Sequence, residues 1–248
     1  QSSVYLMTSS SITGPYVYSG SVVYSGMTNN TSGAGNADYQ KVTKESTIPD
    51  RYLTGSAWSN NYGVHCIDPA VMYDKEGGLW LFYGSWSGGI ALLKLDNQTG
   101  LRDLTYNYGY TEFGSDGAVW DGTSLVYDPY MGIHIAGGHW VSGEGPYVEY
   151  IDGYYYLFMS YGGYAPDGGY NMRVFRSKEI TGKYLDPDGT WAVFGSGGNN
   201  FGADVSHGLS FMQNYKWSWW TGPASLSQGH NSAVVDEDGN AYLVYHIK

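Results

Sequence analysis

Short runs in which apolar and polar residues alternate dominate the chain, and no long stretch has the 3.6-residue period of an amphipathic helix. Three units share one pattern: a polar residue opens a short strand, a turn with Asp or Gly follows, and an aromatic strand comes next. The units begin at Asp68, Glu144 and His230 and reach their aromatic strands at 79–83, 154–158 and 241–245. Each unit predicts a β-hairpin, because turn residues separate two strand-like runs.

The spacing of the three units predicts radially repeated sheets. Asp68 and Glu144 are 76 residues apart, and Glu144 and His230 are 86 apart. These spacings exceed the about 40–50 residues of a four-stranded propeller blade, but they fit blades with long loops. The first strand of each blade lines the axis of a β-propeller, so we expect the three residues to converge on one pocket. The alternative for any one of them is an ordinary residue at the start of a strand.

A second internal match predicts that the propeller is incomplete. Ser9–Tyr16 resembles Ser177–Tyr184, which follows the second hairpin as a third strand and its exit loop. We therefore expect residues 1–248 to form a single, truncated domain that lacks the first blade and parts of two others. Open edge strands promote aggregation, so we expect N-terminal and C-terminal segments of the same protein to cover them.

Composition supports an all-β protein that acts on a neutral partner. The chain has 26 Tyr, 9 Trp and 37 Gly but only 12 Lys and Arg, and its formal net charge is −11. This charge argues against nucleic acid and anionic membranes as partners, because both need clustered basic residues. The single cysteine, Cys66, excludes an internal disulfide and a cysteine-based zinc site. A neutral sugar polymer is compatible with all of these features.

Two carboxylates in one carbohydrate-sized pocket indicate glycoside hydrolysis, which needs an acid on the leaving oxygen and a second carboxylate. Glu144 lies between Gly143 and Gly145, which allow close approach of a substrate, and Pro146–Tyr147 supply a rigid apolar wall. Glu144 is therefore the candidate general acid, and Asp68 is the candidate second carboxylate.

The motifs that surround these residues resemble glycoside hydrolase family 43, and most of all its endo-1,5-α-L-arabinanases. Each motif alone is weak, but together they follow the family's order over nearly the whole chain. The matching segments are Ile67–Pro69, Tyr83–Trp86 with Gly88–Ile90, Glu144–Tyr147, Gly169–Arg173 with Arg176–Ser177, and Gly229–Ser232.

The resemblance implies a five-bladed β-propeller and an inverting mechanism with three carboxylates. Glu144 then matches the acid, and Asp68 matches the aspartate that tunes and orients it. The family's general base would lie in the first blade, upstream of residue 1, so we expect the isolated chain to be inactive. His230 matches a histidine near the axis that helps to hold a metal, typically calcium, largely through water.

Candidate sugar contacts flank these residues. We predict that Cys66, Ile67, Ser85, Trp86 and Tyr147 contact arabinan or an arabino-oligosaccharide. Trp58 and Trp140 could also stack on sugar rings, although core packing is the usual role of a single tryptophan.

The resemblance implies a secreted bacterial enzyme, with a periplasmic or cell-surface location left open. The alternatives are an arabinofuranosidase or xylosidase on the same fold, and a catalytically inactive propeller that binds glycans.

Overall fold

The protein is all-β. The computed structural model describes residues 2–28, 40–42, 44, 46–59, 63–86, 88–109, 126–138, 143–165, 167–193 and 208–248. The strands of these ranges are β1 (Ser2–Thr8), β2 (Val17–Ser25), β3 (Leu53–Thr54), β4 (Ala57–Trp58), β5 (Ala70–Tyr73), β6 (Leu79–Gly84), β7 (Ile90–Leu95), β8 (Val126–Asp128), β9 (Gly132–Ala136), β10 (Glu144–Ile151), β11 (Tyr154–Tyr161), β12 (Asn171–Ser177), β13 (Leu209–Met212), β14 (Gly229–Val235) and β15 (Ala241–His246). A 3-10 turn at Asp50–Tyr52 precedes β3.

The strands form antiparallel sheets, and the first strands of three of these sheets, β5, β10 and β14, lie next to one another. One sheet has the order β5-β6-β7-β9-β8, and the next has the order β10-β11-β12-β13. Two-stranded sheets pair β1 with β2, β3 with β4, and β14 with β15. Strand β10 contacts both β5 and β14. The three predicted hairpins are therefore confirmed as β5–β6, β10–β11 and β14–β15.

Aspartate side chains shape the hairpin turns. Asp74 Oδ1 accepts hydrogen bonds from the backbone N–H groups of Glu76 and Gly78. Asp236 Oδ1 accepts in the same way from Asp238 and Asn240. A carboxylate bound to its own turn mimics a backbone hydrogen bond and stabilises the reversal. The acidic segment that begins at Asp236 is thus a turn of the same type as the one at Asp74.

Tyrosine supplies much of the core between the sheets. Tyr83 of β6 is fully buried, and its hydroxyl donates to the Met131 carbonyl at 2.8 Å. Tyr155 of β11 accepts from the Lys75 N–H at 2.9 Å, which joins two sheets. A tyrosine can fill a core in this way because its ring is apolar and its hydroxyl finds a polar partner.

The buried carboxylate of Asp128, in β8, connects the five-stranded sheet to the 3-10 turn at Asp50–Tyr52. Asp128 accepts hydrogen bonds from the Tyr52 hydroxyl at 2.7 and 2.8 Å and from the Tyr130 and Met131 N–H groups. The Tyr130 hydroxyl in turn accepts from the Tyr24 N–H in β2 at 2.8 Å. Because Asp128 is only 2% exposed, these bonds replace the hydration that its charge loses.

Candidate active site

The three strand-opening residues come together where β5, β10 and β14 begin. Asp68 lies two residues before β5, Glu144 is the first residue of β10, and His230 is the second residue of β14. Asp68 Oδ2 accepts from the N–H of Gly145 at 3.1 Å, and Asp68 Oδ1 lies 3.9 Å from His230 Nε2. The three residues therefore lie close together, as the repeat predicts, but only Asp68 and His230 line one shared pocket.

Three neutral groups hold the carboxylate of Glu144. Its Oε1 accepts from the Tyr170 hydroxyl at 2.6 Å, and its Oε2 accepts from Trp86 Nε1 at 2.8 Å and from Ser85 Oγ at 3.4 Å. An indole N–H can only donate, whereas a phenol can donate or accept. Oε2 is therefore fixed as an acceptor, and Oε1 is the better position for a proton.

Tyr170 and Ser160 are site residues for which the sequence predicts no role. Tyr170 is 1% exposed, and burial, followed by the hydrogen bond to Glu144, raises the pKa of its phenol. Ser160 pairs with Glu144 across β10 and β11, and its Oγ accepts from the His230 N–H at 2.7 Å. Gly229 leaves room for both, since a Cβ there would lie 2.5 Å from Tyr170 Cε1 and 2.7 Å from Ser160 Oγ.

Asp68 is a carboxylate that the fold holds partly out of water. Its side chain is only 15% exposed. This burial raises the pKa of Asp68, and the charge of Glu144 acts in the same direction, while His230 and the Gly145 N–H oppose the shift.

Three of the six described non-glycine residues with a positive φ lie at the site. Asp68, Trp86 and His230 have φ values of 53°, 47° and 48°, in the left-handed region that side chains disfavour by about 1–2 kcal/mol. Hydrogen bonds stabilise this conformation at Trp86, because its backbone N–H donates to the Gly143 carbonyl at 2.8 Å. Such strain is often found at functional sites.

A depression of about 570 Å³ runs along the first strands. The lining residues include Asp68–Val71, Gly145–Tyr147, His230–Ser232 and Val244–His246. The carboxylate of Glu144 is not in this lining; it turns toward Trp86 and Tyr170. Tyr147 also links two sheets, since its hydroxyl donates to the Ala233 carbonyl at 2.8 Å.

The predicted sugar contact Cys66 belongs to the core instead, and Trp58 has the core-packing role that is usual for a single tryptophan. Cys66 is 3% exposed, and burial raises the pKa of its thiol to about 12, so the side chain faces the core rather than a substrate. Trp58 is also buried and stacks on Tyr52 at 5.6 Å. Ile67 is 47% exposed and remains available. Trp140 lies outside the described residues.

The polar groups around His230 do not by themselves make a calcium site. In the described part of the chain, no three His, Cys, Asp or Glu side chains group together as metal ligands. Calcium takes six to eight oxygen ligands, whereas the imidazole of His230 offers nitrogen and Asp68 adds one carboxylate nearby. These residues therefore suit only an ion that water largely coordinates.

Comparison with known proteins relates this site to enzymes that act on arabinan. The family model described as Glycosyl hydrolases family 43 matches residues 50–248. An extracellular endo-α-(1→5)-L-arabinanase of Thermotoga petrophila is 36% identical, over 78% of this chain and 38% of that protein. An extracellular exo-α-(1→5)-L-arabinofuranosidase of Cellvibrio japonicus is 32% identical, over 73% of this chain and 44% of that protein.

A solved structure extends the similarity to the fold. The crystal structure of the endo-1,5-α-L-arabinanase from Thermotoga petrophila superposes with a TM-score of 0.74 at 31% identity, over 99% of this chain and 47% of that one. The chain thus spans less than half the length of the relatives that it matches. No helix in the described ranges has the length and apolar character needed to cross a membrane.

Proposed function

Because the chain belongs to glycosyl hydrolase family 43, we propose that the protein hydrolyses α-1,5-linked L-arabinan outside the cell. The observation that supports this most directly is the pair of carboxylates, Glu144 and Asp68, held together at the start of adjacent strands. The two relatives named above are described as extracellular enzymes acting on α-(1→5)-linked L-arabinose units, which supports both the substrate and the location.

In this proposal Glu144 is the general acid. Trp86 and Ser85 hold Oε2 as an acceptor, so that Oε1 carries the proton. In this acid form the hydrogen bond with Tyr170 runs from Oε1 to the phenol oxygen, which keeps Oε1 oriented, and the buried phenol stays neutral. Oε1 then passes the proton to the glycosidic oxygen of the bound substrate. A positioned acid contributes about 10²–10⁴-fold to such a reaction.

Asp68 is then the positioning carboxylate. It binds the N–H of Gly145, the residue after the acid, and so fixes the backbone that carries Glu144. An inverting reaction also needs a base about 6.5–9.5 Å from the acid to activate water. In this proposal the base is a third carboxylate, distinct from Glu144 and Asp68.

We also propose that the sheets are blades of a five-bladed propeller. The side-by-side contacts of β5, β10 and β14 support radial packing. Exposed apolar side chains on β1–β2 and β14–β15, such as Tyr5, Met7 and Val244, are of the kind that a further sheet would cover. At the axis, His230 and Asp68 would hold a largely hydrated divalent ion, whose positive charge would favour ionised carboxylates nearby.

The test is to give the natural full-length protein linear α-1,5-arabinan and follow the product anomers by proton NMR. We expect oligosaccharides to be released with inverted configuration. Arabinose as the sole early product would favour the exo-acting alternative, which the Cellvibrio relative motivates. Binding without any cleavage would favour the inactive glycan-binding alternative, and cleavage of xylan instead of arabinan would refute the substrate.

A further inference from the structure

The loop between β13 and β14 carries an aromatic surface that the catalytic proposal does not use. We call the exposed side chains of Tyr215, Trp217, Trp219 and Trp220 the aromatic platform. Trp219 is 72% exposed and Trp217 is 57% exposed. Contiguous exposed aromatic surface of this kind marks a binding site more often than it marks ordinary surface.

The platform is ordered rather than a loose collection of rings. The rings of Trp217 and Trp219 lie 6.2 Å apart and within 22° of parallel, and Tyr215 meets Trp217 edge-on at 5.5 Å. Backbone hydrogen bonds in both directions between Tyr215 and Ser225 close the loop. Trp220 Nε1 also donates to the Pro223 carbonyl at 3.0 Å. A preformed surface binds its ligand with a smaller loss of conformational entropy.

The platform borders a groove of about 500 Å³. Lys248 lines this groove, and its Nζ lies 3.8 Å from the centre of the Tyr164 ring. Tyr164 packs edge-on against Tyr170 at 5.5 Å, and Tyr170 binds Glu144. The groove and the catalytic carboxylate are thus connected by three successive side-chain contacts.

We propose that the aromatic platform binds the polysaccharide at a distance from the bond that is cleaved and holds the polymer on the enzyme. The apolar C–H face of a sugar ring stacks on an indole. Ser218 lies between Trp217 and Trp219 in sequence, and Thr221 and Ser225 follow Trp220, so hydroxyl groups that can meet a sugar are close to the rings along the chain. A net charge of −11 disfavours an anionic membrane as the ligand. This inference rests on the proposed function for the identity of the sugar.

The experiment uses the natural full-length protein with Glu144→Gln, so that the polymer is not consumed. Retardation in native gels that contain linear arabinan is compared with and without the double substitution Trp217→Ala and Trp219→Ala. We expect the double variant to bind the polymer about tenfold more weakly, because two ring contacts of this size are lost. In the active enzyme, the ratio of kcat/KM on arabinan to kcat/KM on arabinotriose should fall by a similar factor.

Leu104→Ala is the matched control, because Leu104 is also an exposed apolar side chain, 53% accessible, in another loop. Unchanged retardation of the double variant would overturn the platform while leaving Glu144 as the acid. A change from dimer to monomer without loss of polymer binding would show a protein interface and would also overturn it. Retardation that depends on the tryptophans, in a protein that cleaves no arabinan, would support the platform and refute only the proposed function.

Discussion

Replacement of Glu144 by glutamine removes the transferable proton but keeps the size and the hydrogen-bonding groups of the side chain. The amide oxygen can take the place of Oε2 and accept from Trp86 Nε1, while the NH₂ group donates to the Tyr170 oxygen. The hydrogen bond from Trp86 therefore persists and the one with Tyr170 reverses its direction, and we expect no loss of fold. Only the transferable proton disappears, which predicts a fall in kcat/KM of about 10²–10⁴-fold on arabinan, or about 3–5 kcal/mol of activation free energy.

The assay compares two substrates that differ in their need for an acid. Unactivated arabinan requires protonation of its leaving oxygen, whereas a nitrophenyl arabinofuranoside has a leaving group that departs without it. The variant should therefore lose much less activity on the nitrophenyl substrate. Glu149→Gln is the matched control, because Glu149 is a half-buried glutamate on the same strand, β10. Equal losses on both substrates, or activity on arabinan within a few-fold of the parent, would remove Glu144 from the acid role.

Three further outcomes test the supporting structure. Gly145→Ala should destabilise the protein by about 1–2 kcal/mol in urea unfolding, because φ there is +57° and a Cβ would lie 3.0 Å from the His230 ring; an unchanged midpoint would contradict the crowding. Tyr52→Phe should cost about 1–3 kcal/mol, because it removes a donor from the buried Asp128, and a Tm equal to that of the parent in calorimetry would show that this bond contributes nothing. Chelation with EDTA should lower kcat more than it weakens oligosaccharide binding and should be reversed by added calcium, whereas an unaltered rate would remove the metal at His230.

The sequence predicts the hairpins and most of the site because both depend on local signals. Turn residues and alternation mark the hairpin units, and the shared position of Asp68, Glu144 and His230 in the repeat marks the point where their strands meet. Ser85 and Trp86 could be predicted as site residues because they directly follow β6. In the structure both donate hydrogen bonds to Glu144.

The remaining site residues depend on register, which the sequence does not display. Ser160 reaches the site because it pairs with Glu144 across β10 and β11, and Tyr170 because it directly precedes β12. A register count from the Asp152–Gly153 turn places Tyr161 opposite Glu144, and the register shift between Glu144 and Tyr147 makes Ser160 the partner instead. Cys66 shows the opposite error: it is two residues from Asp68, yet its thiol faces the core. Nearness in sequence does not say which side of the chain a residue faces.

Asp68 offers a final test, because its ionised carboxylate should lower the stability of the folded protein. Its raised pKa means that folding disfavours the ionised carboxylate, mainly through lost hydration. Between the unfolded pKa and the higher folded pKa, the native state binds more protons than the unfolded state, so this residue's contribution to stability falls as the pH rises and stays low above that window.

Asp68→Asn removes the charge but keeps an oxygen that can accept from the Gly145 N–H, and Asn tolerates the left-handed backbone at φ 53°. We therefore expect the variant to be at least as stable as the parent at pH 7, by urea unfolding, with the difference shrinking toward acid pH, while activity on arabinan falls. Lower stability than the parent at pH 7 would contradict this prediction, because the side-chain shape and the hydrogen bond from Gly145 are kept and only the charge is lost.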